Sequence, residues 1–461
     1  MSIKDRQETG IKNYWGGQTR NALDNFNIGS NSFPEEMIKA YAIVKMASAR
    51  ANRELQLLPS TKAGLIITVC EEIINGKLAG NFPLTVWISG SGTQLNMNLN
   101  EVIAHRAMEL NRQQTGTDVN IHPNDDVNMS QSTNDTFPSA MNIAVVQKTI
   151  FSLIPTLTKM KNEFANKAKK WKEIIKVGRT HLQDATPISL GQEFSGYETM
   201  INENISLINY ALKELYRLPL GGTAVGTGIN TLSGYDSIVV EQIKQITDLP
   251  FVCSNNKFAH QGAHNSLVNF SGALKTLAVS LGKIADDIRF LSCGPRCGIG
   301  ELSPPRNEPG SSIMPGKVNP TRCEVLSMIA IQVTANDLAV TLGGAGGQLE
   351  MNAYKPLIIY NIFHSLNLLS DGVQNFTEFL LKGLKPGLRM IKKNLEKSIM
   401  PVTALCPVIG YDNSAKIAKL VEKEGLSLKE AALESGLVTE NEFDTIMDFH
   451  KMIHPGKKDE S

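Results

Sequence analysis

The sequence predicts a mainly α protein built around a bundle of long helices. The main observation is that four stretches repeat apolar residues at alternating steps of three and four, which places those residues on one stripe of a helix. The four stretches cover residues 143–164, 201–215, 267–291 and 359–380. The stretch 267–291 predicts a helix at least about 37 Å long, because each residue adds about 1.5 Å. Helices of this length pack along one another, and we favour an oligomer that shares the bundle over a monomeric bundle.

The composition is that of a soluble globular protein. The chain has 461 residues, with 46 Lys+Arg against 45 Asp+Glu and a formal net charge of +1. This length allows about two or three domains, and the balanced charge argues against a nucleic-acid or membrane-surface partner. No apolar run reaches the ~18 residues that span a bilayer, and residues 1–10 lack the apolar core of a signal peptide. We therefore expect a soluble, cytoplasmic protein.

Changes in pattern along the chain predict three domains. Residues 1–134 mix short helices with polar, turn-rich loops, and we predict an N-terminal, mostly helical domain there. The long repeats all fall within 135–390, which we predict to be the central long-helix bundle. Residues 391–461 carry only short amphipathic segments and are predicted to form a small C-terminal helical domain. Inside the second repeat, Pro155 lacks a backbone N–H and should disturb the helix.

Four polar segments interrupt the helical pattern, at residues 89–98, 122–135, 178–185 and 308–320. Loops on a rigid scaffold often carry functional sites. Lys317 supplies a positive charge, and His181 can exchange protons near neutral pH. Neutral hydrogen-bonding groups come from Ser91, Thr93, Ser132, Thr133, Asn134, Thr180 and Asn319. Together these residues favour a small polar anion such as a dicarboxylate, although each segment alone could be a solvated loop or a helix cap.

The sequence carries no motif for a metal or a cofactor. Gly310 and Lys317 resemble a phosphate-binding loop only superficially, because Val318 stands where that motif needs Ser or Thr. His260 and His264 have a metal-pair spacing without a third ligand, and we expect no metal there. The six cysteines are too scattered for a zinc or iron–sulfur site, and we expect buried, reduced thiols. We therefore expect chemistry by side chains alone, in which a proton next to a carboxylate is removed and a β group leaves.

The segment 310–320, Gly-Ser-Ser-Ile-Met-Pro-Gly-Lys-Val-Asn-Pro, resembles the signature of the fumarase/aspartase superfamily. Other segments resemble class II fumarases: 13–20, 89–98, 122–138, 178–187, 221–230, 294–301 and 403–412. Gly316 favours the fumarases, since aspartases typically carry Ala at this position. The resemblance implies metal-independent, reversible hydration of fumarate to L-malate in the tricarboxylic acid cycle, by anti addition and elimination through a carboxylate-stabilised carbanion. An aspartate ammonia-lyase and a catalytically silent binding or structural protein are the alternatives.

The resemblance also implies an architecture and a set of residue roles. It implies three mostly helical domains, a homotetramer with the bundle at its core, and active sites that each take segments from three subunits. Ser311 matches the base that removes the C3 proton of L-malate. His181 matches the residue that handles the departing or attacking water, and Glu324 matches its carboxylate partner. The substrate-binding positions implied are Ser91, Thr93, Ser132, Thr133, Asn134, Thr180, Lys317 and Asn319.

A possible second anion site departs from the family pattern. Some family members bind a dicarboxylate with a His-Pro-Asn-Asp segment and an arginine three residues earlier. His122, Asn124 and Asp125 match that segment, but Val119 stands where the arginine would be. The resemblance therefore leaves a second anion site here without its cation.

Overall fold

The computed structural model describes residues 12–308 and 310–455, and these form a mainly α fold, as predicted. The prediction made for residues 1–10 concerns a stretch outside this description. The α-helices are α1 (Gly17–Asn25), α2 (Glu35–Glu54), α3 (Ser60–Ile74), α4 (Thr93–Thr115), α5 (Thr133–Lys148), α6 (Ile154–Lys170), α7 (Leu190–Leu215), α8 (Tyr235–Thr247), α9 (Lys257–Gly262), α10 (Asn265–Leu291), α11 (Thr321–Ala345), α12 (Lys355–Phe376), α13 (Leu388–Lys397), α14 (Cys406–Ile409), α15 (Tyr411–Glu424), α16 (Leu428–Glu434), α17 (Glu440–Ile446) and α18 (Phe449–Met452).

The strands of the described chain are short and lie in two-stranded sheets. β1 (Ile175–Thr180) pairs antiparallel with β2 (Gln183–Ser189), β3 (Arg217–Leu218) pairs parallel with β4 (Val252–Cys253), and β5 (Leu302–Ser303) pairs antiparallel with β6 (Lys385–Pro386). Within the described residues, five short helical turns complete the fold: 3₁₀ turns at Ala79–Asn81 and Met400–Leu405, and π turns at Pro123–Val127, Thr149–Leu153 and Thr377–Leu381.

Two of the four apolar repeats are buried throughout, as the spacing predicts. The repeat 267–291 falls within α10, and all eight of its apolar residues are buried. All seven apolar residues of the repeat 359–380 are likewise buried. Burial of a continuous stripe is what holds a long helix in place, since each fully buried aliphatic or aromatic side chain contributes about 1.5–3 kcal/mol.

The helix that contains Pro155 is irregular, as expected. A π turn over Thr149–Leu153 joins α5 to α6 and inserts an extra residue into the helical repeat just before the proline. The inserted residue rotates the stripe, so that Thr149 is buried while Ile150, which the repeat assigns to the core, is only half-buried. The proline thus disturbs the helix through its hydrogen-bond pattern, and the apolar stripe resumes at Leu153.

The described chain is grouped into two compact units. The first takes the described residues of Met1–Pro155, Ser206–Ala278 and Ile331–Ser370, and the second takes those of Thr156–Ile205, Val279–Ala330 and Asp371–Ser461. This grouping is not consecutive along the chain, and the division into three consecutive domains stays a prediction. Within the second unit, the C-terminal segment has a core of its own, formed by Val402, Leu405, Ile417, Ala431, Ala432, Val438 and Phe443.

Helix α2 lies at the centre of the first unit. It packs against α3, α5 and α8, and fourteen of its residues are buried. Five of its residues are alanines, which allow neighbouring helices to approach closely. One of the buried residues is Lys45, which interrupts the apolar sequence Ala-Ile-Val-Lys-Met-Ala.

Helix α11 carries an apolar face that the described residues of this chain leave uncovered. Cys323, Leu326, Val333 and Val340 are buried on one side of α11. On the other side, five apolar residues are exposed: Val325, Met328, Ile331, Leu338 and Leu342. By length and composition alone, Thr321–Ala345 and the longer stretch Thr133–Lys170 could each cross a bilayer, and only the second is mostly buried. An apolar face of this size is typical of a contact with another protein surface.

Candidate functional site

The first unit contains an open cleft with a volume of about 730 Å³, which we call the amide–hydroxyl cleft. Among the predicted substrate-binding residues, Thr93, Ser132, Thr133 and Asn134 line it. The other lining residues are Asn96, Met97, Asn124, Asn128, Met129, Ser130, Gln131, Thr223, Ala224, Ile229 and Asn230. None of these side chains carries a charge, and most offer an amide or a hydroxyl group. Such a lining can hydrogen-bond a small polar molecule in several directions at once.

The N-terminus of α5 forms one wall of the cleft. Ser132 caps this helix, and its side chain accepts a hydrogen bond from the backbone N–H of Asn134 at 3.2 Å. Asp135 completes a capping box by accepting from the Ser132 N–H at 2.9 Å. The dipole of this helix favours an anion at this wall.

Asp135 also joins this wall to a neighbouring loop. Its second carboxylate oxygen accepts from the backbone N–H groups of Gly221 and Thr223, both at 3.0 Å. Thr223 has a positive φ of 52°, and the carbonyl of the next residue, Ala224, accepts from the Asn134 side-chain amide at 2.8 Å. Asp135 is fully buried, and burial raises its pKa to about 6 although three N–H groups stabilise the charged form. The carboxylate of Asp135 therefore links the N-terminus of α5 to the loop that contains Gly221 and Thr223.

The loop that carries Ser91 lies at the start of α4. The hydroxyl groups of Ser89, Ser91 and Thr93 form a chain, with oxygen–oxygen distances of 2.7 and 2.8 Å. Gly90 fits here because a Cβ would lie 1.4 Å from the carbonyl oxygen of Ala353. This packing fixes the loop, and with it the position of Ser91 beside Thr93.

Lys45 stands behind the cleft and was missed by the sequence reasoning. Its ammonium nitrogen donates to Asn128 Oδ1 at 2.9 Å and to Gln131 Oε1 at 3.0 Å, and both of these residues line the cleft. Burial lowers the pKa of Lys45 to about 7. The available signal was a lysine in the middle of an apolar helical stretch, a position where charge is rarely left without a partner.

The residues of the possible second anion site divide between an exposed pair, His122 and Asp125, and a residue of the cleft, Asn124. His122 Nδ1 accepts from the backbone N–H of Asp125 at 3.1 Å, and both side chains are exposed. Asn124 instead lines the amide–hydroxyl cleft. Val119 lies against a different surface depression, next to Arg112 and Asp118.

In the second unit, His181 occupies the tip of the β1–β2 hairpin. Thr180 pairs with Gln183, so His181 and Leu182 form a two-residue turn, and both have positive φ, 57° and 60°. This is the φ pattern of a type I′ turn, which usually carries Asn or Gly. A histidine held in this backbone conformation at an exposed tip indicates a functional constraint.

A buried charge network anchors this hairpin and was also missed. Glu301 is fully buried and accepts two hydrogen bonds from the Arg179 guanidinium, at 3.0 and 2.8 Å. Lys176 lies 3.2 Å from the same carboxylate. Burial alone would raise the pKa of Glu301, but the hydrogen bonds from Arg179 and the charge of Lys176 hold it below its usual range. These contacts fix β1 immediately before Thr180 and His181.

Glu324 lies in the first turn of α11, 3.9 Å from the Arg289 guanidinium. The expected contact between Glu324 and His181 is not made within one chain. Among the described residues, no hydrogen-bonding or ion-pair partner of His181 is found. The pairing of these two residues stays a prediction.

The Ser311 loop lies in the same unit. Ser311 Oγ accepts hydrogen bonds from the backbone N–H groups of Ile313 and Met314, at 3.3 and 3.1 Å. The Asn319 side chain donates to the Gly310 carbonyl and closes the base of the loop. Gly310 packs on the Lys317 backbone so closely that a Cβ would lie 1.9 Å from its carbonyl oxygen, and Lys317 itself is exposed. Two amides directed at one hydroxyl oxygen can stabilise negative charge on it.

The histidine pair and the cysteines show no metal site in residues 12–308 and 310–455, where no three His, Cys, Asp or Glu residues group around one point. His264 is buried, whereas His260 Nδ1 lies 2.7 Å from Ser254 Oγ. The expectation of buried thiols is wrong for Cys293 and Cys297, which are exposed in the glycine- and proline-rich loop after α10. This loop lies outside the helices, so the apolar helical pattern does not bury its side chains.

Family models, curated relatives and a solved structure all indicate similarity to fumarases and related lyases. A family model described as a lyase matches residues 6–335, and one described as the fumarase C C-terminus matches residues 402–454. A class II fumarate hydratase of Ralstonia nicotianae is 51% identical over 95% of both chains, and that of Bacillus subtilis is 49% identical over 96% of both. The crystal structure of a class II fumarase from Schistosoma mansoni superposes with a TM-score of 0.94, at 38% identity over 97% of each chain.

Proposed function

This chain belongs to the lyase family, among the class II fumarate hydratases, and we propose that it catalyses the reversible hydration of fumarate to L-malate in the tricarboxylic acid cycle. Relatives about half identical over nearly the whole chain support the proposal. The observation that carries its mechanism is that the Ser311 hydroxyl oxygen accepts hydrogen bonds from two backbone N–H groups. A serine becomes an effective base only where its oxyanion is stabilised in this way.

In the proposed mechanism, the Ser311 oxyanion removes the C3 proton of L-malate. The electron pair left on C3 is delocalised into the adjacent carboxylate, which Lys317 and Asn319 hold and neutralise. His181 then protonates the C2 hydroxyl, the C2–O bond breaks, and water and fumarate are formed. Base and acid act on opposite faces of the substrate, which gives anti elimination. Glu324 fixes the orientation of His181, and no metal or cofactor takes part.

The remaining substrate contacts are assigned to neutral groups. Within this proposal, Ser91, Thr93 and the Ser132–Asn134 turn bind one end of the dicarboxylate in the amide–hydroxyl cleft. Thr180 binds it from the hairpin that carries His181. A second anion site at His122, Asn124 and Asp125 is not proposed as functional, because Val119 supplies no cation.

We further propose a homotetramer in which each active site takes residues from three subunits. The exposed apolar face of α11 supports this, since water-exposed Met328, Ile331 and Leu342 would become buried against other copies of the bundle. The proposal keeps three consecutive domains, 1–134, 135–390 and 391–461, with the middle one at the tetramer core. The proposed location is the cytoplasm, where the exposed Cys293 and Cys297 stay reduced.

The experiment that tests the function follows fumarate by its ultraviolet absorbance. Purified protein receives L-malate with a chelator present, and a parallel sample receives L-aspartate. Fumarate from malate alone is the expected result. Fumarate and ammonia from aspartate alone would replace the hydratase with an ammonia-lyase, and no product from either would favour the catalytically silent alternative.

A further inference from the structure

The lining of the amide–hydroxyl cleft carries no charge to match the carboxylate that it is proposed to bind. All fifteen lining side chains are neutral. Transfer of a dianion from water to a neutral cleft is unfavourable unless a positive charge lies close by. The wall at α5 supplies only a helix dipole, and Asp135 behind it is acidic.

Lys45 places a positive charge in direct contact with this lining. It is fully buried on α2, and its ammonium group reaches the cleft through two residues, Asn128 at 2.9 Å and Gln131 at 3.0 Å. Asn128 Oδ1 also accepts from Asn96 and Asn100, at 3.1 and 3.3 Å. The amide NH₂ groups of Asn128 and Gln131 donate to backbone carbonyls, so these bonds and Lys45 together fix how the two amides are oriented. The charge of Lys45 is shielded from the screening of bulk water.

We infer that Lys45 is the buried cation that sets the affinity of the amide–hydroxyl cleft for a dicarboxylate, acting through Asn128 and Gln131. The inference rests on the proposed function, because it takes the dicarboxylate as the occupant of the cleft. Lys45 does not touch the reacting atoms and is a positioning residue. Its removal should therefore weaken binding in the ground state and the transition state alike.

The charge of Lys45 depends on its buried neighbours. Asp135 on α5 favours the charged ammonium, whereas the thiol of Cys70 on α3 stays neutral because burial raises its pKa. Tyr235 on α8 meets α2 at Ser48 and stays neutral, because burial raises its pKa. Burial lowers the pKa of Lys45 to about 7. Because anion binding needs the charged form, affinity should be highest below this pKa and fall as the pH rises through it.

The test measures the affinity of the whole protein for succinate, a saturated dicarboxylate that cannot be hydrated, between pH 7 and pH 9. Asp135 is already ionised across this range. If a bound dianion raises the Lys45 pKa by about one unit, wild-type affinity falls roughly fivefold over the range. Lys45→Met should bind succinate roughly fivefold more weakly at pH 7, match the wild type at pH 9, and keep kcat within about threefold. Lys45→Arg should keep its affinity at pH 9, because a guanidinium stays charged.

Lys167→Met is the matched control. Both lysines are buried over an aromatic ring, Lys45 over Tyr41 and Lys167 over Trp171. Lys167, however, belongs to the second unit and donates to the Leu384 carbonyl. Its replacement should leave succinate affinity and its pH dependence unchanged. If the affinity of folded Lys45→Met for succinate also falls between pH 7 and pH 9, the inference is overturned. Constant wild-type affinity between pH 7 and pH 9 overturns it as well, whether or not the variants fold. Malate turnover by the same wild-type sample separates either result from a failure of the proposed function.

Discussion

The two units present the candidate site residues in opposite ways. In the first unit, the residues around the amide–hydroxyl cleft are held from behind by buried groups, such as Asp135 and Lys45. In the second, His181 and Lys317 are exposed, on a hairpin tip and a loop. The groups that line the cleft are thus fixed by buried contacts, whereas no side-chain hydrogen bond or ion pair among the described residues holds His181 or Lys317. Substitutions in the two units should therefore fail in different ways.

The largest effect should come from Ser311→Ala. Loss of the proposed base should lower kcat by about 10³-fold to 10⁴-fold and leave the thermal midpoint unchanged, because Ser311 Oγ contacts only local backbone N–H groups. Steady-state kinetics with L-malate and a thermal scan measure both. Ser312→Ala, one residue along the same loop, is the control and should lose less than about tenfold. Near-normal turnover of Ser311→Ala would remove this residue as the base.

The next effect is that of His181→Asn. Asparagine tolerates positive φ, so the hairpin turn should form normally. Loss of the proton donor should reduce kcat by about 10²-fold to 10³-fold and remove one limb of the pH–rate profile. A variant that keeps both limbs would move the acid–base role to another residue.

A third substitution, Ile331→Glu, tests whether the units are completed by other copies of the chain. Ile331 is 72% exposed in the single chain, so a monomer should tolerate the change. In the proposed tetramer the charge would be buried, and the protein should dissociate and lose at least about tenfold in activity. Light scattering and turnover at one protein concentration measure both, with Leu437→Glu in the C-terminal segment as the control. An intact, active tetramer would place the α11 face outside the interface.

The smallest effect should come from Asp135→Asn, which should lower the free energy of unfolding more than it lowers turnover. The amide keeps one acceptor oxygen but turns an NH₂ group toward backbone donors, which costs about 1–3 kcal/mol.

The same variant has a signed pH dependence. Burial raises the Asp135 pKa to about 6, above the unfolded value near 4, so this carboxyl favours the folded state most below pH 4. That contribution is lost as the pH rises toward 6 and beyond. Wild-type stability should therefore decline relative to Asp135→Asn between pH 4 and pH 7 in denaturant melts. A constant difference between the two would mean that Asp135 has the same pKa folded and unfolded.

The sequence predicted the fold best where the pattern is local. The stripe in α10 repeats over eight residues of one helix, and every one is buried. The shift from Ile150 to Thr149 could not be predicted, because a π turn changes the phase of a helix without changing its composition. The exposure of Cys293 was not predicted for a related reason, because burial at this position depends on the conformation of a loop.

The same distinction between local pattern and long-range contact applies to the candidate site. Residues in contiguous motifs, such as Ser132 and Asn134, do lie together. Lys45 escaped, because its partners Asn128 and Gln131 are more than eighty residues away in the sequence. The link between Arg179 and Glu301 spans 122 positions and leaves no local trace. Only a folded chain brings such pairs together.

The hairpin tip makes two independent demands on position 181. The backbone needs a residue that accepts positive φ, and the proposed chemistry needs an imidazole. A deep mutational scan scored for protein abundance should retain Gly, Asn and Asp at this position. The same scan scored for growth on malate should retain histidine alone.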